Sequence, residues 1–216
     1  MDMSTPNSDM LVIVLHDIHG ITPFFQKTCE RIQSTGADVL CPDLYTLVNP
    51  YAYNRGSNPH TYFLNNIGFE GPKERIIDIV RSYRSSYKRI VILGFSVGAT
   101  IAWLCSGESL VDGVVGLYGS RIRNYMHIQP RCPVLLLFAL SEQAYHPPDL
   151  QKPLEEKGEH VQTQWYYAAH GFADPQSESF CPKSADTAWE EIVSFLRKTE
   201  FGEKLRSNTS ITTNSV

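Results

Sequence analysis

Residues 89–105 read RIVILGFSVGATIAWLC, and this stretch decides the fold. Its first part, RIVILG, is a mostly apolar run typical of a strand buried on both faces, and Ala99–Cys105 predicts a helix. Between them lies Gly94-Phe95-Ser96-Val97-Gly98, a GxSxG pattern at a strand-to-helix junction. Such a turn is strained and projects its serine hydroxyl above the sheet. Ser96 is therefore a candidate nucleophile, although a serine that only caps a helix would also fit the pattern.

Strands and helices alternate on both sides of this stretch. The predicted strands are Leu11–Leu15, Ala37–Cys41, Arg89–Gly94, Gly113–Tyr118, Pro133–Ala139 and Gln162–Tyr167. Helical spacing of apolar residues occurs within 24–32, 76–83, 99–105 and 189–196. Alternation of this kind predicts an α/β fold with a mostly parallel sheet and helices on both faces. Ligands of such sheets bind at the carboxyl ends of the strands.

The length of the chain and the distribution of its polar residues indicate one domain. With 216 residues, the chain can bury a sufficient core without disulfides or metals. We expect this domain to span residues 10–200, between an N-terminal extension (1–9) and a polar, flexible tail (201–216). The stretch from Pro42 to about Gly71 is rich in Pro, Asn, Tyr and Gly, and predicts a long functional loop.

Composition and charge argue against several classes of function. The net charge of −4 disfavours a nucleic-acid partner. No apolar run approaches the roughly 20 residues of a membrane span, and no signal-peptide pattern occurs, so we expect a cytoplasmic protein without a membrane partner. The five cysteines are widely spaced and contain no CxxC pair, which favours reduced, mostly buried thiols. HDIH (His16–His19) is too weak a pattern for a metal site, so we expect no metal and no cofactor.

A serine nucleophile needs a base, and the base needs an acid that orients it. His170 follows the last predicted strand and comes after Ser96, which matches the chain order nucleophile, acid, histidine. The acid is expected after the strand PVLLLFA, where Glu142 is the nearest carboxylate. Asp149 and Asp174 remain alternatives for this role.

Five short motifs resemble those of the dienelactone hydrolases in order and approximate spacing. They are LHDIHG (15–20), CPDLY (41–45), GFSVGA (94–99), LYG (117–119) and HGF (170–172). The resemblance covers about residues 10–198, and it implies a compact, single-domain α/β-hydrolase fold without a large lid. It also implies a catalytic triad of Ser96, Glu142 and His170, and an oxyanion hole formed by the backbone N–H groups of Val97 and Ile18.

The chain departs from the family pattern at three positions. The nucleophile is Ser96 where the family usually has cysteine, and Asp17 replaces the glutamate that engages the resting thiol. Asp174 stands where the family has an arginine that binds the carboxylate of dienelactone, and an aspartate there would repel such a group. We therefore expect neutral esters or lactones to be preferred over carboxylate-bearing ones.

The resemblance also suggests which residues form the substrate pocket. We expect it to contain Asp17, His19, Phe95 and Asp174, with Arg55 reaching it from the long loop. The chemistry favoured is that of a serine hydrolase that cleaves an ester, lactone or thioester of a small molecule through an acyl-enzyme. An acyltransferase or cyclase would use the same triad, and a non-catalytic binding protein on this fold is a second alternative. We expect a monomer or a small homo-oligomer.

Overall fold

The computed structural model describes residues 6–48, 58–142 and 146–198. Within these ranges six strands form one sheet: β1 (Met10–Leu15), β2 (Asp38–Leu40), β3 (Arg89–Phe95), β4 (Gly113–Leu117), β5 (Val134–Ser141) and β6 (Val161–Ala169). Their order across the sheet is β2-β1-β3-β4-β5-β6, and every pairing is parallel. The six predicted strands and the parallel α/β architecture are confirmed.

Helices cover both faces of this sheet. Those in the described residues are α1 (Pro23–Gln33), α2 (Leu44–Val48), α3 (Pro59–Tyr62), α4 (Glu70–Tyr83), α5 (Val97–Cys105), α6 (Pro147–Glu155) and α7 (Pro182–Arg197). α1 and α7 contribute Phe25 and Ile192 to the hydrophobic cluster on one face. α4, α5 and α6 contribute Ile76, Ile101 and Leu150 to the cluster on the other face. None of the described helices has the length and apolar content needed to cross a membrane.

β1 shows why the inner strands of the sheet are nearly continuous apolar runs. Ile13 and Leu15 enter the cluster beneath α4 and α5, whereas Val12 and Val14 enter the cluster beneath α1 and α7. All four side chains are fully buried. Because successive side chains of a strand point to opposite faces, a strand covered on both sides needs apolar residues at every position. Each such burial stabilises the fold by roughly 1.5–3 kcal/mol.

The stretch from Pro42 to Gly71, predicted as a long functional loop, contains short helices. Its described part contains α2, α3 and one π-helical turn at Phe63–Ile67. Asn58 caps α3 by accepting hydrogen bonds from the N–H groups of His60 and Thr61, at 3.0 and 3.2 Å. Phe63 is fully buried and anchors the stretch to the domain. Residues 49–57, which include Arg55, lie outside the described residues.

All five cysteines are free thiols. Cys105 and Cys132 are buried, but Cys29, Cys41 and Cys181 are partly exposed. The expectation of mostly buried thiols is therefore wrong for three of the five. Burial raises the pKa of Cys105, and it raises the pKa of Cys132 to about 12, so both of these thiols stay protonated near neutral pH.

α5 packs against the end of β1 without room for a side chain at Gly98. A Cβ atom on Gly98 would collide with the carbonyl oxygen of Leu15 and lie 2.6 Å from that of His16. A Cβ atom on Gly94 would likewise collide with the carbonyl oxygen of Gly98. The obstacles are backbone atoms, which cannot rotate away. The two glycines of the GxSxG pattern are therefore required by the close approach of strand and helix.

We expect Gly98→Ala to lower the free energy of unfolding by about 1–3 kcal/mol, because the added methyl group must push α5 away from β1. Urea unfolding followed by circular dichroism measures this change. Gly107→Ala is the matched control, because the nearest atom to its Cβ would lie 3.6 Å away, in ordinary contact. Equal unfolding midpoints for the two variants would contradict the close-packing argument.

Candidate active site

Ser96 occupies a strained turn between β3 and α5. Its backbone is in a left-handed conformation, with φ at 54°, which few residues other than glycine adopt. Its N–H donates to the carbonyl of Leu117 at 2.9 Å, which ties the turn to the end of β4. The side chain makes no helix-capping hydrogen bond, and Oγ lies 2.9 Å from Nε2 of His170 instead. The helix-cap alternative for this serine is therefore wrong.

His170 and Glu142 come from the ends of two neighbouring strands. His170 follows β6 directly, and Glu142 follows β5 directly. Nδ1 of His170 lies 2.7 Å from Oε2 of Glu142, whose side chain is only 6% exposed. When Nδ1 carries the proton and donates it to this carboxylate, Nε2 can accept the hydroxyl proton of Ser96. The structure thus brings the three predicted residues into one hydrogen-bonded chain.

The two alternative acids are placed differently. Asp149 lies in the first turn of α6, is 81% exposed, and its carboxylate is 3.8 Å from Nδ1 of His146. Asp174 accepts a hydrogen bond from the N–H of Gln176 at 2.8 Å. No hydrogen bond or ion pair joins either carboxylate to His170, so Glu142 alone of the three candidates contacts the imidazole.

The loop after β1 is oriented by the buried side chain of His16. Nε2 of His16 accepts the N–H of Leu44 at 2.9 Å, while Asp43 is farther from it, at 3.4 Å. Nδ1 therefore carries the ring proton and donates it to the carbonyl oxygen of Asp17, at 2.6 Å. In a trans peptide the N–H points opposite to the C=O. The N–H of Ile18 consequently points away from His16.

A second bond fixes the next peptide of the same loop. The hydroxyl of Tyr45 donates to the carbonyl oxygen of Ile18 at 2.5 Å. On the other side of Ser96, Val97 is the first residue of α5, so the helix does not use its N–H. Ile18 and Val97 both line the cleft that contains Ser96. That their N–H groups together form an oxyanion hole stays a prediction.

The cleft around Ser96 has two lobes, which share Ile18, Ser96 and His170. The first lobe has a volume of about 650 Å³ and its other lining residues are Asp17, His19, Thr22, Tyr118, Gly171, Asp174 and Gln176–Ser179. The second lobe has a volume of about 250 Å³ and its other lining residues are His60, Leu64, Phe69, Val97, Thr100, Ser120, Arg121 and Glu142. The first lobe carries the carboxylates of Asp17, Asp174 and Glu178, whereas the second carries the guanidinium group of Arg121 and the carboxylate of Glu142, which contacts His170. A groove of about 720 Å³ beside Arg31 and Trp189 contains none of the predicted site residues.

The structure does not place all of the predicted pocket residues at the cleft. Asp17, His19 and Asp174 line the first lobe. Phe95 does not fit the prediction, because it is 2% exposed and its ring packs edge-on in the core. Phe95 directly precedes Ser96, and the pleat of β3 turns its side chain toward the helices. Arg55 lies outside the described residues, so its place in the pocket stays a prediction.

The sequence reasoning missed Tyr118 and Arg121. Tyr118 directly follows β4, has φ at 42°, and its ring centroid lies 5.0 Å from that of His170. Arg121 follows in the next turn and lines the second lobe. Their position after a strand end was a usable signal, because the other site residues also follow strand ends.

The electrostatics of the first lobe are dominated by partly buried acids. Burial raises the pKa of Asp17, and the neighbouring carboxylate of Asp174 adds to this rise, against the hydrogen bond from the N–H of His19. Burial also raises the pKa of Tyr118 well above its ordinary value, and the charges of Asp17 and Asp174 raise it further. The phenol of Tyr118 is therefore a neutral hydroxyl group at physiological pH.

Comparison with known proteins places this chain among hydrolases of one family. Residues 3–200 match the Dienelactone hydrolase family. The uncharacterised protein YczH of Bacillus subtilis is 37% identical over 171 residues, which are 79% of this chain and 84% of that protein. Carboxymethylenebutenolidase 1 of Cupriavidus pinatubonensis is 24% identical over 188 residues, which cover 82% of this chain and 80% of the enzyme.

Solved structures show the same fold. A Klebsiella pneumoniae protein, solved as a candidate dienelactone hydrolase, aligns with a TM-score of 0.71 at 21% identity, over 92% of this chain and 90% of its own. A dienelactone hydrolase-like promiscuous phosphotriesterase, P91, from metagenomic libraries aligns with a TM-score of 0.70 at 13% identity, over 89% and 86%. With the family match over nearly the whole described fold, the chain belongs to the dienelactone hydrolase family of α/β hydrolases.

Proposed function

We propose that this protein is a serine hydrolase that cleaves an ester or lactone of a small molecule through an acyl-enzyme on Ser96. The observation that carries the proposal is the hydrogen-bonded chain from Ser96 Oγ through His170 to Glu142, with distances of 2.9 and 2.7 Å. The membership of the family supports the reaction class. The carboxymethylenebutenolidase names of several relatives support a lactone or ester carbonyl as the target.

The first half of the reaction forms the acyl-enzyme. Oγ of Ser96 attacks the carbonyl carbon while Nε2 of His170 takes the hydroxyl proton. The carboxylate of Glu142 orients the imidazole and stabilises the imidazolium that forms. The tetrahedral intermediate then collapses, the bond to the leaving oxygen breaks, and His170 returns the proton to that oxygen. The second half repeats these steps with water as the nucleophile and Ser96 as the leaving group.

The negative charge of the tetrahedral intermediate needs donors that are fixed before the reaction begins. The N–H groups of Val97 and Ile18 are our candidates, because both residues line the cleft at Ser96. His16 holds the Asp17 carbonyl and Tyr45 holds the Ile18 carbonyl, so the loop that presents the Ile18 N–H cannot turn freely. One donor of this kind typically contributes about 10²–10³ in kcat.

The nucleophile is tested by turnover of neutral short-chain esters and lactones by the wild type and by Ser96→Ala. We expect the substitution to reduce kcat to the background rate, because no other group can form the acyl-enzyme. A circular dichroism spectrum equal to that of the wild type is the control for folding. Turnover that survives in a folded Ser96→Ala protein would contradict the proposal.

The acid is tested by Glu142→Gln. We expect a fall in kcat of about 10²–10⁴, because the imidazole loses the carboxylate that fixes its tautomer and stabilises its charged form. Asp149→Asn is the matched control and should keep kcat within about twofold, since Asp149 is exposed on α6, where its carboxylate lies near His146 and does not contact His170. If Asp149→Asn were the damaging change, the assignment of the acid would be wrong.

A further inference from the structure

The first lobe of the cleft carries negative charge. Asp17, Asp174 and Glu178 line it, and no lysine or arginine is among its described lining residues. The second lobe instead carries Arg121 together with Glu142, whose carboxylate contacts His170. A substrate that spans both lobes therefore meets an excess of negative charge on the side of the first lobe, and charges of both signs on the other side of Ser96.

The carboxylates of Asp17 and Asp174 can each accept further hydrogen bonds from a ligand. Oδ1 of Asp17 accepts the N–H of His19, and Oδ1 of Asp174 accepts the N–H of Gln176, each at 2.8 Å. These bonds occupy one oxygen of each group and come from neutral backbone donors. No ion pair joins Asp17 or Asp174 to any lysine or arginine in the described part of the chain. The carboxylate of Asp17 is repelled by that of Asp174 and gains partial relief from the N–H of His19 and from the rings of His16 and His19.

Two hydroxyl groups of the same lobe lack partners, which is an independent sign of a ligand. Oγ1 of Thr22 is buried and has no hydrogen-bond partner among the described residues. The phenol of Tyr118 belongs to a side chain that is only 2% exposed and lines the lobe, and no described residue hydrogen-bonds to it. Buried polar groups are nearly always satisfied, so the Thr22 hydroxyl calls for a partner from outside the protein, and the Tyr118 phenol at the same lobe is free to bond one as well.

We propose that the first lobe binds a positively charged amine of the substrate beside the scissile carbonyl, held by Asp17 and Asp174. This inference rests on the proposed function, since it names the substrate class of the same site. A protonated amine attracts both carboxylates and can donate its N–H to a free carboxylate oxygen or to the hydroxyl of Thr22 or Tyr118. A neutral group would leave the carboxylates uncompensated, and an anionic group would add a third negative charge.

The proposal is tested with two matched pairs of esters, because the lobe could receive either the alcohol or the acyl part. One pair is dimethylaminopropyl butyrate and the uncharged isostere in which a CH group replaces the protonated nitrogen. The other pair is ethyl dimethylaminobutanoate and its CH isostere. We expect kcat/KM, measured by proton release at constant pH, to favour the charged member of at least one pair by about tenfold or more.

The variant Asp174→Asn tests whether the first lobe causes the preference for the charged ester. The amide keeps the oxygen that accepts the N–H of Gln176 but removes the charge. We expect the ratio of kcat/KM between the charged and neutral esters to fall severalfold, and this ratio does not depend on the amount of active enzyme. Asp186→Asn is the matched control, because Asp186 is an exposed carboxylate on α7, and it should leave the ratio unchanged.

The remaining outcomes separate this proposal from the one on which it rests. If the wild type cleaves the neutral esters and shows no preference for the charged member of either pair, the amine subsite is wrong and the hydrolase stands. If a preference exists but Asp174→Asn and Asp186→Asn change it equally, the lobe is not its source, and the subsite is again wrong. If no ester is cleaved faster than by Ser96→Ala, the amine subsite is wrong, and if neutral lactones are not cleaved faster either, the hydrolase proposal is wrong as well.

Discussion

The left-handed backbone at Ser96 is the constraint on which the rest of this structure depends. A non-glycine residue at φ 54° costs about 1–3 kcal/mol, which surrounding structure must supply. Here α5 supplies it, because every residue from Val97 to Cys105 is buried, and the bond from the Ser96 N–H to Leu117 closes the turn. The closeness of α5 to β3 leaves room only for glycine at position 94, and its closeness to the end of β1 leaves room only for glycine at position 98. The strained turn and the buried helix α5 therefore act together to project the hydroxyl of Ser96 into the cleft.

The parallel sheet explains why residues so distant in sequence meet at that hydroxyl. The loop after β1, Ser96 after β3, Tyr118 after β4, Glu142 after β5 and His170 after β6 all follow carboxyl ends of strands, which share one edge of the sheet. The order of the strands reverses between β1 and β3, and the cleft opens at this point. Helix-packed strands fix the positions of these residues, so small loops are enough to form the site.

Much of this could be predicted from the sequence, for physical reasons that differ between elements. The inner strands β1, β3, β4 and β5 are buried and have a nearly continuous apolar pattern, which predicted them directly, and chain order then selected Glu142 and His170. The short helices α2 and α3 escaped prediction because they are too short to show a 3.6-residue pattern, and their stability comes from contacts such as the buried Phe63. Tyr118 escaped because its left-handed backbone and its nearness to His170 are tertiary properties. Phe95 was misplaced because the resemblance gave its position in the chain, whereas the pleat of β3 determines which way its side chain points.

The most direct test of the central claim is to locate the covalent adduct formed with a fluorophosphonate. The reagent needs a serine whose proton can be removed by a neighbouring base, and the bond between Ser96 and His170 provides this arrangement. Mass spectrometry of the proteolysed protein should find one phosphonyl group per chain, on the peptide that contains Ser96. Denatured protein should remain unmodified, because unfolding separates Ser96 from His170. An unmodified native protein, or an adduct on a peptide without Ser96, would contradict the account.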